Sequence, residues 1–75
     1  MGVPSKNIIG RRLREARGKK KLSQDQLSAK LARQDVQIDR AGISKIETGI
    51  RCVYDYEIKA FAKVLGIPPS QLLGE

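Results

Sequence analysis

The apolar residues of this 75-residue chain recur at intervals of three and four positions, which is the spacing of one helix face. Five segments show this spacing, and their predicted bounds are residues 8–19, 24 to 32 or 33, 40–48, 55–66 and 68–73. Their apolar stripes are Ile9, Leu13 and Ala16; Leu27 and Leu31; Ile43 and Ile46; Ile58, Phe61, Ala62 and Leu65; and Leu72 with Leu73. The pattern therefore predicts helices throughout the chain.

Local capping signals place the helix boundaries. Ser23 followed three positions later by Gln26 has the spacing of a capping box, which predicts the start of the second helix. Asp39 and Asp55 are expected to cap the third and fourth helices because their short carboxylates accept hydrogen bonds from free N–H groups. Gly49 is expected to end the third helix in a left-handed conformation.

The segment between the second and third helices alternates in polarity but is too short for an independent strand. We interpret residues 34–38 as an ordered turn that directs Val36 or Ile38 inward. The sequence therefore predicts an all-α fold of five helices in one domain, residues 1–75, in which residues 1–6 form a flexible arm.

The charge balance points to a polyanionic partner. Lys and Arg number 15 against 8 Asp and Glu, which gives a net charge of +7. Residues 1–21 contain eight basic side chains and one acidic one, whereas residues 22–75 contain seven of each. Nucleic acid is the first candidate, and an anionic membrane surface is the second.

Composition excludes several function classes. With no His and one Cys, the chain lacks an ordinary metal-ligand set and a Ser-His or Cys-His nucleophile, so we expect no metal, no cofactor and no enzyme activity. No apolar run is long enough to span a membrane. Three aromatic residues are too few for a single-strand stacking platform, and Tyr54 and Tyr56 are expected to serve packing or dimerisation.

Three stretches carry a family resemblance: IGRRLREARGKKKLSQDQLSAKL, GISKIETG and FAKVLGIPPSQLL. They resemble the phage repressor/Cro (Xre-type) helix-turn-helix domain, over about residues 8–73. The resemblance implies a compact, five-helix, lambda-repressor-like domain that binds double-stranded DNA as a cytoplasmic transcription regulator. It also implies a homodimer on a palindromic operator, with the third helix in the major groove.

The resemblance assigns roles to residues at matching positions. Base edges would be read by the outer face of the third helix, formed by Arg40, Ala41, Ser44 and Lys45. Phosphates would be contacted by Gln24, Thr48 and Arg51, and by Lys21 in the basic loop before the second helix. Arg17 and Glu47 match a buried ion pair that joins the first and third helices.

Three further features complete the expectations. The dimer surface is expected at the C-terminal helix, at Pro69, Gln71 and Leu72, because apolar residues near the chain end have little else to cover them. The turn from Ala32 to Ile38 is longer than in the family by about five residues, and it either contacts the DNA backbone or packs on the domain. Gly42 within the third helix is expected to lower helicity by about 1 kcal/mol relative to Ala.

Three other roles stay open. One is a controller of a restriction–modification operon, and another is an antitoxin, which would bind a toxin as its protein partner. A basic module that binds membrane surfaces or proteins is the alternative from a different class. It is disfavoured because Ile9, Leu13 and Ala16 are needed for the core, whereas a membrane-bound helix needs its apolar face free.

Overall fold

The computed structural model describes residues 6–74, with side chains from Ile9 onward. This part of the chain contains five α-helices and no strand. The helices are α1 (Lys6–Lys19), α2 (Gln24–Ala32), α3 (Arg40–Glu47), α4 (Asp55–Leu65) and α5 (Pro69–Leu73). The predicted fold class is confirmed. The expected arm lies outside the described residues except for Lys6, which is already the first residue of α1.

The predicted apolar stripes meet in a single core. α1 packs against α3, α4 and α5, while α2 packs against α3 and α4. Phe61 of α4 is the largest side chain that is fully buried, and leucines from α1 and α2 belong to the same cluster. Each helix therefore buries one face, and the opposite faces of α1 and α3 remain available to solvent.

The capping signals read from the sequence are found where they were expected at α2 and α3. Ser23 Oγ accepts a hydrogen bond from the Gln26 N–H at 3.0 Å, and Gln26 Oε1 accepts one from the Ser23 N–H at 2.8 Å. Asp39 Oδ1 accepts from the Gly42 N–H at 2.8 Å. Gly49, which follows the C-cap residue Thr48, has a φ of 82°. These local interactions fix both ends of α3 and the start of α2.

The predicted start of α1 and the predicted cap of α4 were wrong. α1 begins at Lys6 instead of Ile8, and α4 is capped by Tyr54 instead of Asp55, which is its first helical residue. The cause at α4 is Glu57, whose Oε1 accepts the Tyr54 N–H at 3.0 Å. A carboxylate that reaches back from the third helical position thus replaces the expected aspartate cap.

Leu72 was wrongly expected at a dimer surface. Its side chain is fully buried within the core cluster, because α5 packs against both α1 and α4 and so covers the apolar residues near the chain end. Pro69 and Gln71 are exposed, as the expectation requires. The C-terminal helix therefore completes the core with Leu72 and leaves two of the three named residues at the surface.

Gly10 marks the closest approach of α1 to α3. A Cβ at this position would overlap the carbonyl oxygen of Ile46 and lie 2.7 Å from that of Glu47. Gly18, in the same helix, has nothing within 4 Å of an added Cβ. The absence of a side chain at Gly10 therefore sets the distance between the two helices.

We expect Gly10→Ala to destabilise the fold by about 2 kcal/mol, because backbone atoms cannot move aside as a flexible side chain does. Gly18→Ala is the matched control and should stabilise the fold by about 0.5 kcal/mol through helix propensity. Urea unfolding of both variants, followed by circular dichroism, measures the difference. Changes of the same sign in the two variants would contradict the close approach.

Candidate nucleic-acid interface

The outer face of α3 carries the residues expected to read bases. Ile43 and Ile46 anchor the helix in the core, and both are fully buried. The expected base-reading residues lie on the other side of the helix: Arg40, Ala41 and Lys45 are exposed, and Ser44 is half-buried. An eight-residue helix fixed along one face and polar along the other has the dimensions that a major groove accepts.

Arg40 is held only loosely at the start of this face. Its Nη1 lies 3.8 Å from Asp25 Oδ2, and both side chains are about 70% exposed (69% and 72%). Exposed ion pairs at such a distance contribute little free energy. The guanidinium is therefore free to leave Asp25 and turn toward a ligand.

The lengthened turn before α3 packs on the domain. Both Val36 and Ile38 are buried, where the sequence indicated one or the other. Ser28 Oγ of α2 donates a hydrogen bond to the Ile38 carbonyl oxygen at 2.7 Å. Asp35 takes a left-handed conformation with φ 60°, and Gln37 remains exposed. The inserted residues thus fix the start of α3 against α2.

Gly42 has a packing role that the sequence did not reveal. A Cβ here would lie 2.8 Å from Ile38 Cγ2 and 3.1 Å from the capping Oδ1 of Asp39. The turn can pack against α3 because this position has no side chain. The expected loss of helicity is therefore accompanied by a close fit between the turn and the helix.

An ion pair joins α1 to the end of α3. Arg17 Nε donates to Glu47 Oε2 at 2.7 Å, and Arg17 Nη2 donates to Glu47 Oε1 at 3.0 Å. The side chain of Glu47 is 4% exposed and that of Arg17 is 17% exposed. Hydrogen bonding to Glu47 raises the pKa of the Arg17 guanidinium, against the opposing effect of burial. The structure thus brings together the two residues that the resemblance paired.

The same carboxylate connects to the start of α2. Gln24 Nε2 donates to Glu47 Oε1 at 3.1 Å, and Arg17 Nη1 donates to the Leu22 carbonyl oxygen at 2.8 Å. A cleft of about 240 Å³ is lined by this cluster together with Ser44 and Thr48. Gln24, expected to contact phosphate, therefore has its amide bound to Glu47 in the free protein.

The other residues expected to contact phosphate differ in whether their side chains are exposed or already engaged within the protein. Lys21 is exposed, with φ 56°, in the loop that leads to α2. Thr48 is exposed at the end of α3, and its hydroxyl donates to the Ser44 carbonyl oxygen at 3.0 Å. Arg51 is engaged with Glu57, through Nη1 to Oε1 at 3.1 Å and Nη2 to Oε2 at 2.9 Å. Lys21 and Thr48 are thus open to a ligand, whereas Arg51 is committed to an internal pair.

Glu57 is the residue that sequence reasoning missed. Its side chain is 3% exposed, and that of Arg51 is 32% exposed. Burial raises the pKa of Glu57, but hydrogen bonds from Arg51 and from the Tyr54 backbone outweigh it, so the pKa lies below the usual 4.5. The available signal was the position of Glu57, third in a helix, where a carboxylate reaches back to the cap.

Other kinds of site find no support in residues 6–74. No group of three or more potential metal-ligating side chains occurs among them. None of the described helices is long and apolar enough to cross a membrane. What these residues present to solvent is mainly a set of charged and polar side chains.

Comparison with known proteins identifies relatives of this fold. The sequence model of the helix-turn-helix family matches residues 13–72. Among solved structures, the restriction-modification controller protein C.AhdI from Aeromonas hydrophila is similar, with a TM-score of 0.79 and 34% identity. The similarity covers 89% of this chain and 90% of that one. No curated protein matches the sequence.

Proposed function

The chain belongs to the Xre-like helix-turn-helix family and is a DNA-binding transcription regulator; we propose that it binds as a homodimer to a palindromic operator with α3 in the major groove. The observation that carries this proposal is the two-sided construction of α3. Its inner face is fixed by Ile43, Ile46 and the Arg17–Glu47 pair, whereas Arg40, Ala41 and Lys45 are exposed.

Affinity and sequence choice would come from different parts of the surface. The excess positive charge lies in residues 1–21, outside α3, and supplies attraction to the DNA backbone. Lys21, in the loop before α2, and Thr48, at the end of α3, are exposed and suited to phosphate contacts. Within α3, Arg40 and Lys45 reach guanine O6 and N7, and Ala41 contacts a thymine methyl group. The charge thus positions the protein, and α3 selects the sequence.

The palindromic operator follows from size. The domain measures 26 × 21 × 20 Å, and single modules of this kind bury only about 600–1,000 Å² on DNA. Two copies on half-sites about one helical turn apart double that contact. A dimer is therefore the assembly that gives so small a domain tight and specific binding.

A controller of a restriction–modification operon is the regulatory role we favour within this class. The support is the 34% identity to the controller protein C.AhdI, which extends over nearly the full length of both chains. The protein would act in the cytoplasm, where the operon is transcribed, without catalytic activity. An antitoxin would instead co-purify with a tightly bound toxin, and a membrane-surface module would co-sediment with liposomes despite duplex competitor.

Selection of bound duplexes from a random pool tests the DNA-binding proposal. We expect a palindromic consensus for the unmodified chain. Arg40→Ala and Lys45→Ala should each relax the preference at one position per half-site, at about 1–3 kcal/mol. Affinity for the selected duplex should also fall steeply with salt, because cations are released from the phosphates.

Gln24→Ala is the contrasting variant for this experiment. It should weaken binding to all duplexes while leaving their ranking unchanged, since a phosphate contact carries no sequence information. Equal weakening of all sequences by Arg40→Ala and Lys45→Ala would place these residues on phosphates. An affinity that does not depend on salt would remove the electrostatic part of the proposal.

A further inference from the structure

The first turn of α2 contacts both ends of α3. Gln24 Nε2 donates to Oε1 of Glu47, the last residue of α3, at 3.1 Å. In the next residue of α2, Asp25 Oδ2 lies 3.8 Å from Nη1 of Arg40, the first residue of α3. An acidic side chain of α2 therefore lies beside the arginine that we propose reads guanine.

The stability of α2 does not explain why the acid lies beside Arg40. Ser23 and Gln26 form the capping box, so Asp25 is not part of the cap. A carboxylate in the first turn gains about 0.3–1 kcal/mol from the helix dipole, wherever it points. The ion pair with Arg40 adds little in water, because the two side chains are 72% and 69% exposed.

An exposed acid at this position opposes DNA binding. Gln24, the residue before Asp25, is a proposed phosphate contact, and a carboxylate repels a phosphate over about 8 Å at physiological salt. Three other acids around α3 are engaged inside the protein, because Asp39 caps the helix and Glu47 and Glu57 pair with arginines. The charge of Asp25 is directed to solvent instead, so it acts on whatever approaches α3.

Arg40 has enough donors to bind Asp25 and a base at the same time. A guanidinium carries five N–H donors, and a bidentate contact to guanine O6 and N7 uses two of them. DNA that displaces water from both side chains strengthens their attraction. The carboxylate also competes with nearby phosphates for the arginine. Asp25 thus favours an Arg40 that points along the groove over one that turns to the DNA backbone.

We propose that Asp25 is a positioning residue for sequence recognition, whose carboxylate directs Arg40 to guanine and away from phosphate. The inference rests on the proposed DNA-binding function and adds a specificity-determining residue outside α3. The same carboxylate lowers the affinity for duplexes that lack the guanine, because it repels their phosphates and offers no base contact in return.

Two duplexes that differ in one base pair test the inference. The pair is the one whose preference is lost in Arg40→Ala when bound duplexes are selected from a random pool. Fluorescence anisotropy then gives the ratio of dissociation constants for duplexes with guanine and with adenine at this position. We expect Asp25→Asn to lower the preference for guanine about fivefold, mostly through tighter binding to the adenine duplex. Asp25→Glu keeps the charge and should keep most of the preference.

A double-mutant cycle shows whether Asp25 acts through the arginine. The Asp25→Asn/Arg40→Ala variant should have the same ratio as Arg40→Ala, because the acid has no arginine left to direct. Glu15→Gln is the matched control, since it removes one negative charge from an exposed position on α1. It should strengthen binding to both duplexes equally and leave the ratio unchanged. Circular dichroism and urea unfolding will show that each variant is folded.

The outcomes separate this inference from the proposed function. An unchanged ratio in Asp25→Asn would overturn the inference and leave the function standing, as would an Arg40→Ala variant that loses no base preference. An effect of Asp25→Asn that persists without Arg40 would make Asp25 a base contact in its own right. An equal effect of Glu15→Gln would assign the change to net charge. A chain that selects no duplex would contradict the function, and the inference with it.

Discussion

Replacing Arg17 with methionine is expected to destabilise the fold by about 3 kcal/mol at neutral pH. The change leaves the carboxylate of Glu47, which is 4% exposed, with only the amide of Gln24 as a side-chain donor. Removing one partner of a buried ion pair costs about 3–5 kcal/mol, because the other charge stays buried without compensation. This is a large part of the stability of a small domain. Urea unfolding at neutral pH measures it.

The double variant Arg17→Met/Glu47→Leu shows whether the cost belongs to the unpaired charge. Methionine and leucine leave no buried charge, so most of the lost stability should return. Arg14→Met, which removes an exposed charge from the same helix, should change stability by less than about 0.5 kcal/mol. If the double variant were as unstable as Arg17→Met, the loss would come from packing of the arginine and not from Glu47.

The helix boundaries near α2 and α3 were predictable because their causes are local. Ser23, Gln26 and Asp39 each bond to a backbone group three positions away, so the spacing alone carries the information. The start of α4 carried the same spacing signal, since Glu57 bonds to the Tyr54 N–H three positions back, but Asp55 was an equally suitable cap by sequence. Glu57 displaces Asp55 as the determinant because it is buried and paired with Arg51, and burial depends on how the whole chain packs.

Within the candidate site, the features that the sequence alone did not predict are contacts between residues far apart in the chain. The Arg17–Glu47 pair spans 30 positions, and the sequence indicated it only through a family resemblance. Gly42 was expected only to lower the helicity of α3, and nothing in the sequence marked Gly10, yet each lies where another segment approaches within contact distance. Leu72 read as an exposed apolar residue because nothing in its neighbourhood shows that α1 and α4 cover it.

The two ion pairs hold the end of α3 and the segment that follows it. Arg17–Glu47 fixes its last residue against α1 and the start of α2, and Arg51–Glu57 fixes the segment that follows it against α4. The charges needed for orientation are therefore internally paired, whereas Arg40 and Lys45 are left exposed for a ligand. Arg51 belongs to the first group, which makes it less suited to phosphate than its family position implies.

Replacing Arg51 with methionine is expected to reverse the pH dependence that Glu57 gives to stability. In the unmodified chain the pKa of Glu57 lies below its usual 4.5, because the bonds from Arg51 and Tyr54 outweigh burial. The stability gained from this carboxylate is therefore complete above about pH 4.5 and is lost as the pH falls through the lower, folded-state pKa. Without Arg51, burial dominates and raises the pKa of Glu57 above its usual value. Protonation of Glu57 then removes a buried charge. Lowering the pH therefore reduces the difference in the free energy of unfolding between the variant and the unmodified chain.

Urea unfolding between about pH 7 and pH 3 measures both slopes. Arg51→Met should cost about 3 kcal/mol at neutral pH, near the lower end for buried pairs because Arg51 is 32% exposed. Most of that cost should disappear near pH 3. Glu57→Gln keeps an acceptor for the Tyr54 N–H but does not titrate, so it should lose the Glu57 part of the acid slope. A cost for Arg51→Met that stays constant over this range would mean that Arg51 stabilises the connection through packing and its bond to the Cys52 carbonyl oxygen, and not through Glu57.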